Sequence, residues 1–142
     1  MHFVRWSKLP AQDNYELTRK QKHYPNIDKN QLFSLGYVAE DSSHTYGNTV
    51  DVVLIDLKTM KLLPMGARFD YMDAISGIHT GPETIGEEAY NNRQILAQAM
   101  LKYDYQPYEE EFWHFSHGGV EGREVQVALD IPVTKNLKGS KG

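Results

Sequence analysis

The sequence predicts an α+β fold, a single domain in which a small antiparallel sheet packs against helices. Its 142 residues, 40% of them hydrophobic, are enough for one buried core. The run "TVDVVLIDL" is β-branched and apolar, as in a strand. The segment "EEAYNNRQILAQAMLKYDY" has apolar residues at helical spacing. Because strand and helix patterns occupy separate stretches, the α+β class is favoured.

The first third of the chain predicts short helices. In "HFVRWSKL", residues 2–9, the apolar side chains of Phe3, Val4, Trp6 and Leu9 form a helical stripe. The polar segment "AQDNYELTRKQKHYPNI" predicts a ragged helix or a loop that ends at Pro25. In "DKNQLFSLGY", Asp28 is the predicted N-cap of another short helix and Gly36 its C-terminal stop.

The middle of the chain predicts a hairpin followed by a loop. "TVDVVLIDL" is apolar nearly throughout, which predicts a strand covered on both faces. "KTMKLLPMG" predicts the return arm, with Lys58 and Thr59 near the turn. The next stretch, "ARFDYMDAISGIHTGPETIG", is rich in Gly, Asp and Thr, which favours a long functional or lid-like loop.

The last third predicts one long helix and two strands. The strands are "PYEEEFWHFS" and "REVQVALDIPV", separated by "HGGVEG". We expect one domain over residues 1–134 and a flexible tail over 135–142, where lysines are diluted by Gly and Ser. The residues predicted to lie near one face of the long helix are Ala89, Asn92, Leu96, Ala99, Met100 and Tyr103.

Composition excludes several classes of protein. Without cysteine there is no disulfide framework, and a metal must be held by nitrogen and oxygen ligands. A net charge of −4 leaves no basic surface for nucleic acid. No apolar run approaches the roughly 20 residues needed to cross a membrane, and "MHFVRWSKLP" lacks the pattern of a signal peptide. We therefore expect a cytoplasmic protein without nucleic-acid or membrane partners.

Two of the six histidines have carboxylates nearby, at predicted strand ends. His44 precedes Asp51 in "SSHTYGNTVD", and His114 follows Glu111 in "EEEFWHF". Catalytic zinc typically takes three protein ligands and leaves a fourth position for water. A nearby glutamate can act as the base that takes a proton from this water. These residue types would suit a zinc site at the strand ends, in which Glu111 is left free as the base and the ligands are His44, Asp51 and His114.

Spacing alone leaves a second interpretation open. Residues seven apart in a regular strand point to opposite faces, so His44 and Asp51 cannot share a straight strand. A turn at Gly47 and Asn48 would bring them together. Glu111 lies three residues before His114, so a bulge or twist is needed for the two side chains to face each other. In the second interpretation Asp51 caps a turn and Glu111 belongs to a solvated acidic run.

The two histidine stretches resemble the signatures of one known family. "SSHTYGNTVD" is similar to the S-x-H-x-x-G-x-A-x-D motif of peptidase family M15, and "EFWH" resembles its E-x-W-H motif. The sequence is most similar to the VanX-type D-alanyl-D-alanine dipeptidases of that family, from about residue 3 to about residue 132. Stretches that match them in order are "FVRWSKLP", "HYPNID", "GYVAEDSSH", "LPMGARFDYMD" and "NNRQIL".

The resemblance implies a zinc metallopeptidase that hydrolyses D-alanyl-D-alanine, a component of cell-wall peptidoglycan, or a related small dipeptide. It implies that Glu111 is the general base and that zinc is held by His44, Asp51 and His114. Ser42 and Asp70 match family positions near the substrate's ammonium group. Trp113, between the base and a ligand, is expected to pack in the core.

The sequence also departs from the family pattern. Thr49 replaces the alanine of the signature, and Tyr46 stands where the family often has arginine. Family chains extend upstream of "FVRW", into a "GYRP"-like motif whose arginine stabilises the transition state, and we expect this sequence, which begins at Met1, to lack that part.

These departures leave other functions open. One is a vestigial metal-binding module with little activity. Another is a chain whose pocket is completed by a partner, either a second copy in a homo-oligomer or a separate N-terminal segment. A peptidoglycan-cleaving endopeptidase of the same broad group is a further alternative.

Overall fold

The computed structural model describes residues 2–10, 13–40 and 42–118, and over these ranges it confirms the α+β class. None of the helices in these ranges is long and apolar enough to cross a membrane. The predicted strand "REVQVALDIPV" and the tail 135–142 lie outside them. The elements are α1 (His2–Ser7), α2 (Asn14–His23), β1 (Thr49–Asp51), α3 (Pro82–Ile85), α4 (Glu87–Leu101), β2 (Tyr105–Tyr108) and β3 (Glu111–His117).

β3 is the central strand of the sheet, with β1 on one side and β2 on the other, and both pairings are antiparallel. The segment "PYEEEFWHFS" was predicted as one strand, but it forms a hairpin of β2 and β3. A turn at Glu109 and Glu110 separates the two strands. Pairing with β1 places Asp51 directly opposite His114.

One face of α4 packs on the sheet. Leu96 joins a core cluster with Trp113 and other residues of β3. Ala99 and Tyr103, predicted on this face, are exposed. The buried face is centred near Arg93 and Leu96, which leaves Ala99 at its margin, and α4 ends before Tyr103. The cluster consists of Met65, Leu96, Phe112, Trp113 and Phe115.

Arg93 is a buried cation that ties a loop to α4. It is 4% exposed, and its guanidinium donates to the carbonyls of Met65 at 2.7 Å, Ile75 at 3.0 Å and Gly77 at 3.0 Å. Burial lowers its pKa to about 10. The segment predicted as a loop is therefore anchored, and it contains a 3-10 turn (Ala74–Ser76) besides α3.

The apolar run that contains β1 is less buried than predicted. The strand is three residues long and only Thr49 in it is buried. The predicted hairpin does form, since Leu63 donates to the carbonyl of Leu54 at 2.9 Å. Its turn is held by the Asp56 carboxylate, which accepts from the N–H of Thr59 at 2.7 Å. The prediction of a strand covered on both faces is wrong, because Val50, Ile55 and Leu57 are 36%, 43% and 81% exposed.

The N-terminal elements build a second small core. The polar segment forms α2, whose N-cap Asp13 accepts from the N–H of Glu16 at 2.7 Å. The helix predicted after Asp28 is only a 3-10 turn, Lys29–Gln31, and Gly36 adopts the left-handed φ of 84° expected for a stop. The buried residues of this core are Tyr24, Leu32 and Val38.

Candidate metal centre

Three side chains from separate segments converge at the end of β1. His44 Nε2 lies 3.3 Å from Asp51 Oδ1, and His114 Nδ1 lies 3.4 Å from the same oxygen. The two ring nitrogens are 3.3 Å apart. The two nitrogens and the oxygen, all atoms that can bind a metal ion, therefore form a nearly equilateral triangle.

A tight turn brings His44 and Asp51 together. His44 lies in the 3-10 turn Ser43–Tyr46, which ends at Gly47 in a left-handed conformation with φ of 75°. The N–H of Gly47 donates to the His44 carbonyl at 3.1 Å. The chain then passes through Asn48 into β1, whose last residue is Asp51. The turn predicted at Gly47 and Asn48 is confirmed.

An irregularity in β3 places Glu111 beside His114. Pro107 pairs with Phe115, but the next residue, Tyr108, pairs with Glu111. β3 therefore carries three residues between these pairs while β2 carries none, and such a bulge bends and twists a strand. Glu111 Oε2 lies 3.6 Å from His114 Nδ1. The bulge expected from their spacing is confirmed.

The triangle has the size that a tetrahedral metal site requires. Zinc lies about 2.0–2.1 Å from imidazole nitrogen and carboxylate oxygen, and a tetrahedron with that radius has edges of about 3.3–3.4 Å. The observed edges of 3.3, 3.4 and 3.3 Å match one face of such a tetrahedron. A cation bound by these three atoms would have its fourth coordination position open to water or substrate. Glu111 lies beside the triangle, not at a corner.

Further hydrogen bonds orient both imidazole rings. Ser43 Oγ lies 3.2 Å from His114 Nε2, so this outer nitrogen has a partner and Nδ1 faces the triangle. The His44 ring also hydrogen-bonds the main chain of Thr49. Such outer contacts set the tautomer and direction of a metal-binding histidine. The sequence analysis missed Ser43, and its place beside His44 was the only available signal.

Mutual attraction holds Asp51 ionised. Burial by itself would raise the pKa of the Asp51 carboxyl, but hydrogen bonds from His114 and His44 and their positive charges lower it to about 2. In return, the hydrogen bond to Asp51 raises the pKa of His44 above 6.5, against the opposing effect of burial. Asp51 and His44 therefore favour each other's charged forms.

Glu111 has the opposite electrostatic environment. Burial raises the pKa of its carboxyl to about 8, and the negative charges of Asp51 and Asp70 add to the shift. Its side chain is 12% exposed. The two carboxyl groups, with pKa values of about 2 and about 8, therefore differ in charge near neutral pH: Asp51 is ionised, whereas Glu111 binds a proton readily.

The candidate ligands open onto a cleft of about 610 Å³. Asp70 and Ser42, expected near the substrate, line this cleft together with the triangle and Glu111. Asp70 has a left-handed φ of 60°, and burial raises the pKa of its carboxyl. Trp113 is 1% exposed and belongs to the main core, as expected. The structure thus brings all six predicted site residues to one cavity.

A His–Asp–His triangle beside a partly buried glutamate, at the ends of two paired strands, defines a candidate metal-dependent hydrolase site. Comparison with known proteins also indicates a hydrolase, a peptidase. Residues 2–131 match the model of peptidase family M15 described as D-ala-D-ala dipeptidase, and the chain belongs to this family.

Similar curated proteins carry the same description. The chain is 42% identical over 113 residues to a D-alanyl-D-alanine dipeptidase of Enterococcus faecalis and 40% identical over 113 residues to one of Enterococcus faecium. It is 37% identical over 114 residues to a D-alanyl-D-alanine dipeptidase of Streptomyces coelicolor. Each match covers 80% of this chain and 53–54% of the relative. The chain therefore spans about half the length of the curated relatives it matches.

Proposed function

We propose that this chain is a zinc-dependent dipeptidase domain that hydrolyses D-alanyl-D-alanine or a related small dipeptide. The observation that carries the proposal is the ligand triangle, with edges of 3.3, 3.4 and 3.3 Å, beside a partly buried glutamate that is not part of it. The printed descriptions of the three relatives support the substrate class.

His44, Asp51 and His114 would hold the zinc. Bound zinc would supply Lewis-acid chemistry, polarising the scissile carbonyl and lowering the pKa of a water. Two imidazole nitrogens and one carboxylate suit zinc better than magnesium or calcium, which take mainly oxygen ligands.

Glu111 would act as the general base. It takes a proton from the water that attacks the scissile carbonyl and delivers it to the amide nitrogen of the leaving D-alanine as the C–N bond breaks. Its pKa of about 8 without a cation makes it a strong proton acceptor, and a cation nearby lowers that value towards the working pH.

Asp70 and Ser42 would bind the ammonium group of the dipeptide. Asp70 supplies a negative charge in the cleft, and the Ser42 hydroxyl supplies a hydrogen-bond acceptor. A cleft that requires a free ammonium group next to the scissile bond would favour dipeptides over the interior of a longer peptide.

The test is D-alanine release from D-Ala-D-Ala by the chain loaded with one equivalent of zinc. Glu111→Gln should keep the zinc and abolish release, because the amide cannot accept the proton. Glu109→Gln is the matched control, since it removes the same charge from an exposed residue of the same acidic run. Release that survives Glu111→Gln would refute the role of Glu111. Zinc binding without release by the unsubstituted chain would support the metal-binding module instead.

A further inference from the structure

The end of α2 is docked on the loop that carries Asp70. The Arg68 side chain donates to the Lys22 carbonyl at 3.2 Å, and the N–H of Met72 donates to the His23 carbonyl at 2.7 Å. These bonds lie on either side of Asp70 in the loop. The helix end therefore fixes where the loop passes beneath the cleft.

His23, the last residue of α2, contacts Asp70 twice. Its Nδ1 lies 2.8 Å from the Asp70 main-chain oxygen and 3.1 Å from the carboxylate Oδ2. Both oxygens are acceptors when the carboxyl is ionised, so Nδ1 carries the proton and donates. One N–H thus ties down both the backbone and the side chain of Asp70.

The backbone of Asp70 needs such support. Its φ of 60° lies in the left-handed region, which non-glycine residues seldom occupy. A residue persists there when its surroundings hold it, and such residues cluster at ligand-binding sites. The bond from His23 to the Asp70 carbonyl holds this peptide unit directly.

The geometry leaves the Asp70 carboxylate available to a ligand. The side chain is 46% exposed and lines the cleft with His44 and Glu111. Within residues 2–10, 13–40 and 42–118, the carboxylate accepts one hydrogen bond, from His23 Nδ1–H to Oδ2. A carboxylate has about four acceptor positions, so Oδ1 can accept from an ammonium group while His23 keeps Oδ2 in place.

We propose that His23 is a positioning residue, which holds Asp70 in the orientation that binds the substrate's ammonium group. This inference rests on the proposed function, because it needs Asp70 to face that group. His23 is not among the six site residues that the sequence predicted. It lines the same cleft, 47 residues away from Asp70 in the chain.

The experiment compares two ligands that differ only in the ammonium group. They are D-Ala-D-Ala and propionyl-D-alanine, in which hydrogen replaces the amine. Dissociation constants are measured by calorimetry on the zinc-loaded chain carrying Glu111→Gln, which should bind without turnover. The quantity of interest is the preference, the dissociation constant of propionyl-D-alanine divided by that of D-Ala-D-Ala.

His23→Leu should lower the preference about tenfold, the typical effect of losing one charge-assisted hydrogen bond. His23→Asn should restore it to within about threefold, because an asparagine N–H reaches nearly where Nδ1 stands. His79→Leu is the matched control, since it removes an exposed histidine elsewhere and should leave the preference unchanged. Equal weakening of both ligands by His23→Leu, or an unchanged preference, would overturn the inference.

Failure of the inference and failure of the proposed function give different results. If Asp70→Asn lowers the preference and His23→Leu does not, only the role of His23 falls. If Asp70→Asn leaves the preference unchanged, the assignment of Asp70 itself is wrong. A crystal structure of His23→Leu gives a readout without ligand: we expect Asp70 to leave the left-handed conformation, and an unmoved Asp70 would also overturn the inference.

Discussion

Asp51 and His114 face each other across β1 and β3, with Asp51 Oδ1 3.4 Å from His114 Nδ1. The pairing of the two strands thus sets the separation of two candidate metal ligands. A slip of one residue in this register would move Asp51 to the other face of the sheet. The candidate metal centre therefore depends on the register of the antiparallel sheet.

Replacing His114 by alanine should weaken zinc binding by at least about 100-fold, because it removes one corner of the ligand triangle. His117→Ala is a matched control on the same strand, since His117 is exposed and its ring contacts Tyr105. Zinc titration with a competing chelator measures both. Equal losses of affinity in the two variants would mean that the strand, not the ligand, was affected.

Gly47→Ala should destabilise the fold by about 1 kcal/mol, since a side chain disfavours the left-handed region, and it should also weaken zinc binding. Gly47 ends the turn that carries His44, at φ of 75°. Gly118→Ala is the control, because Gly118 has a similar φ of 74° and open space for a Cβ. Denaturant unfolding should show similar losses, but only Gly47→Ala should lower zinc affinity. Unchanged zinc affinity would mean that the turn adjusts without moving His44.

Metal binding should release a proton and strengthen as pH rises. His44 must be neutral to bind a cation, and its pKa is raised above 6.5 by Asp51. Below that raised value the affinity should fall about tenfold per pH unit for the proton displaced from His44. The fall should be steeper where Glu111 also releases a proton, because a cation lowers its pKa from about 8. Calorimetry in two buffers of different ionisation enthalpy measures the proton release. No release between pH 6 and pH 7 would contradict a protonated His44 in the metal-free site.

The metal-free chain should show the opposite trend in stability. Since the folded pKa of His44 is raised, its interaction with Asp51 contributes fully below about 6.5 and is lost as pH rises through the raised value. The free energy of unfolding without zinc should therefore fall over that window. Asp51→Asn should remove the part of this dependence that is due to His44, as seen by denaturant unfolding at a series of pH values. The part due to Glu111, whose folded pKa is raised to about 8 mainly by burial, should remain.

Arg93→Lys should destabilise the domain by about 3 kcal/mol, because one ammonium cannot reach the three carbonyls that the guanidinium fork serves. Arg5→Lys, on the exposed face of α1, is the control and should change stability by less than about 0.5 kcal/mol. Chemical denaturation measures both. A loss below about 1 kcal/mol for Arg93→Lys would show that water replaces the missing donors.

Much of the local structure could be predicted from the sequence. Helical periodicity predicted α4 and its buried Leu96, and the position of Lys58 and Thr59 predicted the hairpin turn. Turn residues between His44 and Asp51 predicted how these two could meet. Each of these features depends on residues close together in the chain, where backbone preferences and side-chain spacing act directly.

The rest was decided by tertiary structure. The sequence by itself determined which residue types were available for a metal, and motif resemblance selected His44, Asp51 and His114 among them. Strand pairing brought the His114 nitrogen to 3.3–3.4 Å from the other two ligand atoms. Burial, together with the charges of Asp51 and Asp70, raised the pKa of Glu111 to about 8. Likewise, the contacts of Ser43 with His114 and of His23 with Asp70 join residues 71 and 47 positions apart. Periodicity cannot predict such contacts, because they depend on how separate elements pack.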